Sequence, residues 1–144
     1  MSYRSDVRII TTKKGYYKLK KYVESNLNKD DYNLLQDNIF DNKKNSNIFY
    51  LGWNNISWAE LCDFKHIDVI INGLKYLKEN SCSYNFARMG ENYDDYDSKY
   101  FISDKDPLDY LIVFDRKFDD DMVLNYIKEY NYDYKKGDIS NELL

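Results

Sequence analysis

The chain has 144 residues, 43% hydrophobic, 32% charged and 17% aromatic with 16 tyrosines, the make-up of one folded domain, which excludes a disordered tail or a fibrous repeat. Formal net charge is -4, but residues 1–80 carry 13 Lys/Arg against 10 Asp/Glu and residues 81–144 carry 8 against 15. The acidic second half disfavours direct contact with nucleic acid and favours a basic partner.

Residues 3–11 predict a first strand with Val7, Ile9 and Thr11 on one face and Arg8 and Ile10 on the other. Thr12 is placed to cap a helix in which Tyr16, Leu19, Val23 and Leu27 recur at helical spacing, with five lysines on the remaining positions. Residues 28–47 are rich in Asn, Asp and Lys and predict a loop with one helical turn near Tyr32–Gln36.

The stretch Ile48–Trp58 holds both tryptophans and a mid-strand glycine, and reads as the central strand, with Asn54-Asn55 turning the chain out of it. Ile67, Ile70, Ile71, Leu74 and Leu77 then give the clearest helical period, with the single histidine, His66, at its start in a structural role. Tyr84, Phe86 and Arg88 alternate with Asn85, Ala87 and Met89 in a strand ending at Gly90. An exposed acidic, aromatic loop, Glu91–Asp97, leads to a short strand at Lys99–Ser103. Beyond Pro107, Tyr110–Phe114 predict a last buried strand. Asp119 caps a third helix with Met122, Val123, Tyr126, Ile127 and Tyr130 on its apolar face.

These elements make an α+β fold: one domain over residues 1–134, with a mostly antiparallel sheet of about five strands and two or three helices packed on one face, followed by a polar tail over 135–144. No run approaches the ~20 apolar residues of a membrane span. Two cysteines, Cys62 and Cys82, with no apolar leader ahead of them predict reduced thiols in a cytoplasm.

Motifs for chemistry are missing. There is no phosphate-cradling glycine loop, nucleophile elbow, Cys/His dyad or Cys-x-x-Cys, and Asp94, Asp95, Asp97, Asp104 and Asp106 lack the spacing of a calcium loop. The expectation is a non-enzyme with no catalytic residues, no metal and no cofactor. Four arginines stand against 17 lysines, each on or beside a predicted strand. Either they bridge nearby aspartates or, with Trp53, Phe86, Arg88 and Asn92, they line a nucleotide-binding face.

Ser2–Val7 with Thr12–Tyr16, Gly52–Trp58 and Tyr84–Asn92 resemble small proteins encoded by phages and prophages of low-GC Gram-positive bacteria, over residues 2 to about 120. The resemblance carries no active site to transfer. It implies an accessory, anti-CRISPR-like role in the cytoplasm of a bacterial host, inhibiting a defence protein or ribonucleoprotein complex. The binding residues expected for that role are Glu91, Tyr93, Asp94, Asp95, Tyr96 and Asp97, set against a basic nucleic-acid channel. The alternatives are sequestration of a small signalling nucleotide at Trp53, Phe86, Arg88 and Asn92, and a structural or regulatory phage protein. The tyrosine content also fits a homodimer with an aromatic interface.

Overall fold

Alternation along the first strand sets the two faces of the sheet. The computed structural model describes residues 3–58, 64–108 and 118–142, with side chains as far as Tyr134. In it β1 (Ser5–Thr12) sends Val7 and Ile9 into one core and Ile10, beside Arg8, into another. With β2 (Ile48–Ile56), β3 (Tyr84–Gly90) and β4 (Tyr96–Phe101) it forms an antiparallel sheet in the order β2-β1-β3-β4. The α+β class holds, with four strands among the described residues rather than about five. The strand expected at 110–114 lies outside the described residues, as do Cys62 and Arg116.

Two helices cover the first face. The Thr12 hydroxyl accepts from the Gly15 N–H at 3.1 Å and starts α1 (Lys13–Asn26) as the sequence predicts. Leu19 and Val23 of α1 and Ile67, Ile70, Leu74 and Leu77 of α2 (Lys65–Glu79) close over Val7, Ile9, Leu51, Trp53 and Phe86. Each fully buried side chain of this kind contributes roughly 1.5–3 kcal/mol of transfer free energy. That holds a lysine-rich helix on the sheet while its outer face stays in water.

The opposite face is covered by α3 (Asp120–Glu142). Asp119 caps it, its carboxylate accepting from the Met122 N–H at 3.0 Å. Val123, Tyr126, Ile127 and Tyr130 pack towards Ile10, Ile48, Tyr50, Ala87 and Met89. The helical backbone continues through Gly137, where the sequence suggested a polar tail.

The stretch read as the central strand is an edge among the described residues, and β1 and β3 are the strands with neighbours on both sides. The outer rim of β2 is closed by side chains. The Asn42 amide both donates to Tyr50 O (2.8 Å) and accepts from Tyr50 N (2.9 Å), Asn38 Oδ1 accepts from Gly52 N (2.8 Å), and Ile39 N donates to Gly52 O (3.0 Å). Ser46 Oγ does the same for the carbonyl and N–H of Ile48. A side-chain amide has the donor and acceptor of a peptide unit, so the asparagine-rich loop stands in for a fifth strand. One 3-10 turn, Leu34–Asp37, interrupts it.

Asn54 and Asn55 do not end β2. They form a bulge opposite Asp6, with Asn55 at φ 54°, a left-handed conformation asparagine tolerates, and Asn55 N donating to Asp6 Oδ1 at 2.8 Å.

Candidate binding surface

The acidic stretch builds the tip of the β3–β4 hairpin. Gly90 N donates to Asp95 O (2.8 Å) and Asp95 N to Asn92 O (3.0 Å), so β4 begins at Tyr96, three residues before the sequence placed it. That register sets Arg88 opposite Asp97. The guanidinium then binds both neighbouring acids: Nη2 lies 2.7 Å from Asp95 Oδ1 and 2.8 Å from Asp97 Oδ2, while Nη1 reaches Ser5 Oγ at 3.1 Å. The Tyr3 hydroxyl donates to Asp95 Oδ2 and accepts from Asn92 N, and Arg4 N donates to Glu91 Oε1 at 2.7 Å. Gly90 lets both side chains close on the strand, because a Cβ there would run into the Asp95 carboxylate and the Tyr3 hydroxyl and one or both would have to shift.

Electrostatics follow the same contacts. Hydrogen bonds from Arg88 and then Tyr3 hold the Asp95 carboxyl below the usual carboxylate range. The two aspartates push the Arg88 guanidinium further up, Asp95 contributing most. The six residues expected to bind a partner therefore divide. Asp95 and Asp97 are internal braces, and Glu91, Tyr93 and Asp94 form the outward tip. Tyr93 is 73% exposed, and Asp94 has no hydrogen-bond or ion-pair partner among the described residues. Tyr96, 59% exposed, belongs to β4 rather than the tip.

The residues of the nucleotide alternative are not gathered around one opening. Trp53 and Phe86 are each 2% exposed in the first core, Trp53 Nε1 donates to Leu34 O at 2.9 Å, and Trp58 lies against both rings. Arg88 is committed to its aspartates, and Asn92 sits in the turn. A pocket of about 190 Å³ does lie beside the tip, lined by Arg4, Asp6, Asn55 and Glu91 among others. Small-molecule sites begin near ~300 Å³, so it has room for one side chain rather than a nucleotide.

Compared with known proteins, the chain matches no protein family, no curated protein and no solved structure. The surface must be read from its own chemistry.

Two buried polar groups elsewhere account for other candidate residues. Arg8 spends all five donors internally: Nε and Nη2 on the Asp120 carboxylate (2.9 and 3.1 Å), Nη2 also on Asn54 Oδ1 (2.8 Å), and Nη1 on the Val7 and Trp53 carbonyls. Phe40 and Phe118 stack on its faces, and the Tyr50 hydroxyl donates to Asp120 Oδ1 at 2.7 Å. Burial and then the Asp120 contact push the Tyr50 hydroxyl far above its ordinary value. Gly52 makes room for this, since a Cβ there would stand 2.5 Å from Phe40 and 2.9 Å from Arg8 Cδ.

In the second group, the Asp106 carboxylate accepts from Thr12 Oγ1 (2.7 Å) and Ser83 N (2.9 Å), tying the 103–106 turn to the start of α1. His66 packs edge-on to Tyr32, in keeping with a structural role. Among the described residues no helix is long and apolar enough to cross a membrane, and no group of three or more His, Cys, Asp or Glu side chains converges to hold a metal ion.

Sequence reasoning marked the acidic stretch and Arg88, but missed Tyr3 and Arg4 as supports of the tip. The hairpin register is the signal that links them. Once the turn is placed at 92–95, Arg88 falls opposite Asp97, and the β1–β3 pairing brings residue 5, and with it the N-terminal arm, beside Gly90.

Proposed function

We propose that the chain is a non-enzymatic binding protein that docks its braced hairpin tip on the basic, nucleic-acid-contacting surface of a partner. In a bacterial cytoplasm, this is the part played by a phage-encoded inhibitor of a host defence protein. One observation supports the reading above others: Arg88, Tyr3 and Arg4 hold the loop from behind, so Glu91, Tyr93 and Asp94 face solvent from a fixed turn. A pre-organised loop loses little entropy on binding, and acids around an exposed tyrosine suit a lysine- or arginine-rich groove. The small pocket beside the tip, with Asp6 and Glu91 in its lining, suits one basic side chain of that partner.

The test is competition. Tagged protein is used to capture a partner from a bacterial host lysate, and duplex DNA or structured RNA is then titrated onto the complex at fixed low salt. Release of the partner in proportion to added nucleic acid is the expected result. Retention at saturating nucleic acid would show that the docked surface is not the one that holds phosphate, and would overturn the proposal.

A further inference from the structure

Charge is divided between the two ends of the sheet. β1 runs from Ser5, paired with Gly90 beside the hairpin tip, to Thr12, paired with Ile48, so the start of α1 and the loop entering β2 lie at the end away from the tip. Eight residues of strand set the two ends roughly 25 Å apart. At the far end Lys13 N donates to Asn47 O at 2.9 Å and Ser46 N to Lys43 O at 2.9 Å, which brings the exposed Lys43 and Lys44 towards the first turn of α1.

The outward face of α1 continues the same charge. Lys13, Lys14, Lys20 and Lys21 are all exposed, and at ~3.6 residues per turn they fall on both sides of Tyr17 along one face. None of these six lysines forms an ion pair among the described residues, and Glu24, a turn past the strip, is the only acid in the helix. A helix face kept only for solubility commonly mixes its signs at i and i+4 spacing. This one carries a single sign.

Tyr17 is held at the centre of the strip. Its ring meets Tyr16 edge-on at 5.5 Å and lies 5.9 Å from Phe49, while Tyr16 stacks on Phe49 at 4.5 Å. Phe49 is buried, so the Tyr17 ring is propped from below while 42% of the residue stays exposed.

From this we infer that the outer face of α1 binds single-stranded nucleic acid, the lysines meeting successive phosphates and Tyr17 stacking on an unpaired base. Ammonium groups follow the phosphate backbone as point charges and an aromatic face accepts any base, so the contact is indifferent to sequence. The propped ring within the strip favours this partner over an acidic peptide or an anionic lipid surface, which need only the charge. A duplex keeps its bases stacked inside and offers Tyr17 none. The surface is separate from the one proposed above, and because the two lie at opposite ends of the sheet a bound strand leaves Glu91, Tyr93 and Asp94 open.

Fluorescence anisotropy of a short labelled oligouridylate, titrated with the full chain at low salt, tests this beside a Lys13→Glu/Lys14→Glu double variant and Tyr17→Leu. Glutamate is favoured in the first turn of a helix and leucine keeps an apolar contact with Phe49, so both should retain the parent's far-UV circular dichroism. The parent is expected to bind with an affinity that falls steeply as salt rises. The double variant should lose roughly tenfold or more, with a shallower salt dependence. Tyr17→Leu should lose roughly tenfold with the salt dependence intact, while inorganic polyphosphate, which has charge and no bases, binds it as well as it binds the parent. Asp94→Lys should bind the oligonucleotide no less tightly than the parent, which separates this result from the fate of the tip. If either α1 variant fails to fold, the other decides together with the parent. A parent chain that does not bind at low salt would overturn the inference. So would a folded Tyr17→Leu that binds the oligonucleotide as tightly as the parent, or binding confined to phosphatidylserine vesicles.

Discussion

Replacing Arg8 by methionine is expected to cost the fold about 3 kcal/mol, at the lower end for one partner of a buried ion pair because Asp120 keeps 30% of its side chain in water. The guanidinium side chain is 4% exposed and its five donors are all taken, so methionine removes them together and leaves a carboxylate beside two phenyl rings. Lysine does not rescue, because a point charge with three donors cannot reproduce the two-point grip on Asp120 or the flat stack between Phe40 and Phe118. For a chain of this length the melting temperature should fall by roughly 10 °C. Urea unfolding followed by tryptophan fluorescence measures the loss, both described indoles being buried. Pairing the change with Asp120→Leu should restore much of it, since replacing both ions by apolar groups removes the stranded charge. A loss below about 1 kcal/mol for Arg8→Met would mean that this pair does not hold α3 to the sheet.

Changing Asp95 and Asp97 to lysine together is expected to loosen the hairpin. Three cations would then crowd where one guanidinium now bridges two carboxylates. The Tyr3 hydroxyl would lose its acceptor and Asn92 its anchor. The amides of Tyr84, Phe86 and Arg88, which face β4, should exchange with solvent roughly tenfold faster or more, while those of Arg8 and Ile10 in β1 keep their protection, as local opening requires. Unchanged exchange at 84–88 would show that the Arg88 bridge is not what positions the tip. A loss of binding in this variant reports the support and not the contact surface, so the tip must be tested through other residues.

Both faces of the sheet were legible in the sequence because strand alternation and helical period are direct consequences of burial. Val7 and Ile9 part from Arg8 and Ile10, Phe86 parts from Ala87 and Met89, and Ile67 to Leu77 mark α2, all as the pattern predicts. The position of β2 was not legible. A strand buried on both faces reads as central, but here α3 and Phe40 cover its second face while asparagine side chains close its rim, and asparagine in a loop carries no sign that it is acting as a strand. The start of β4 was hidden for the opposite reason: with nearly every residue exposed, it has no hydrophobic alternation to show.

The acidic stretch could be read as exposed from its composition. Which of its acids are neutralised could not, because that depends on a register placing Arg88 nine residues from Asp97 in sequence and directly opposite it in space. The arginines divide by the same logic. Arg8 and Arg88 bridge aspartates, the structural alternative weighed from the sequence, and neither guanidinium stays open for a phosphate.

The most direct measurement of the central claim is the affinity of the captured partner for an Asp94→Lys variant, alongside the parent chain at the same ionic strength. The Asp94 carboxylate takes part neither in the Arg88 bridge nor in the Glu91 contact to the Arg4 N–H, so the melting temperature should stay within a few degrees of the parent's. Affinity should fall roughly tenfold, chiefly at low salt, because the reversed charge now meets a basic surface. Undiminished affinity in a folded variant would contradict the account and place the binding surface away from the hairpin tip.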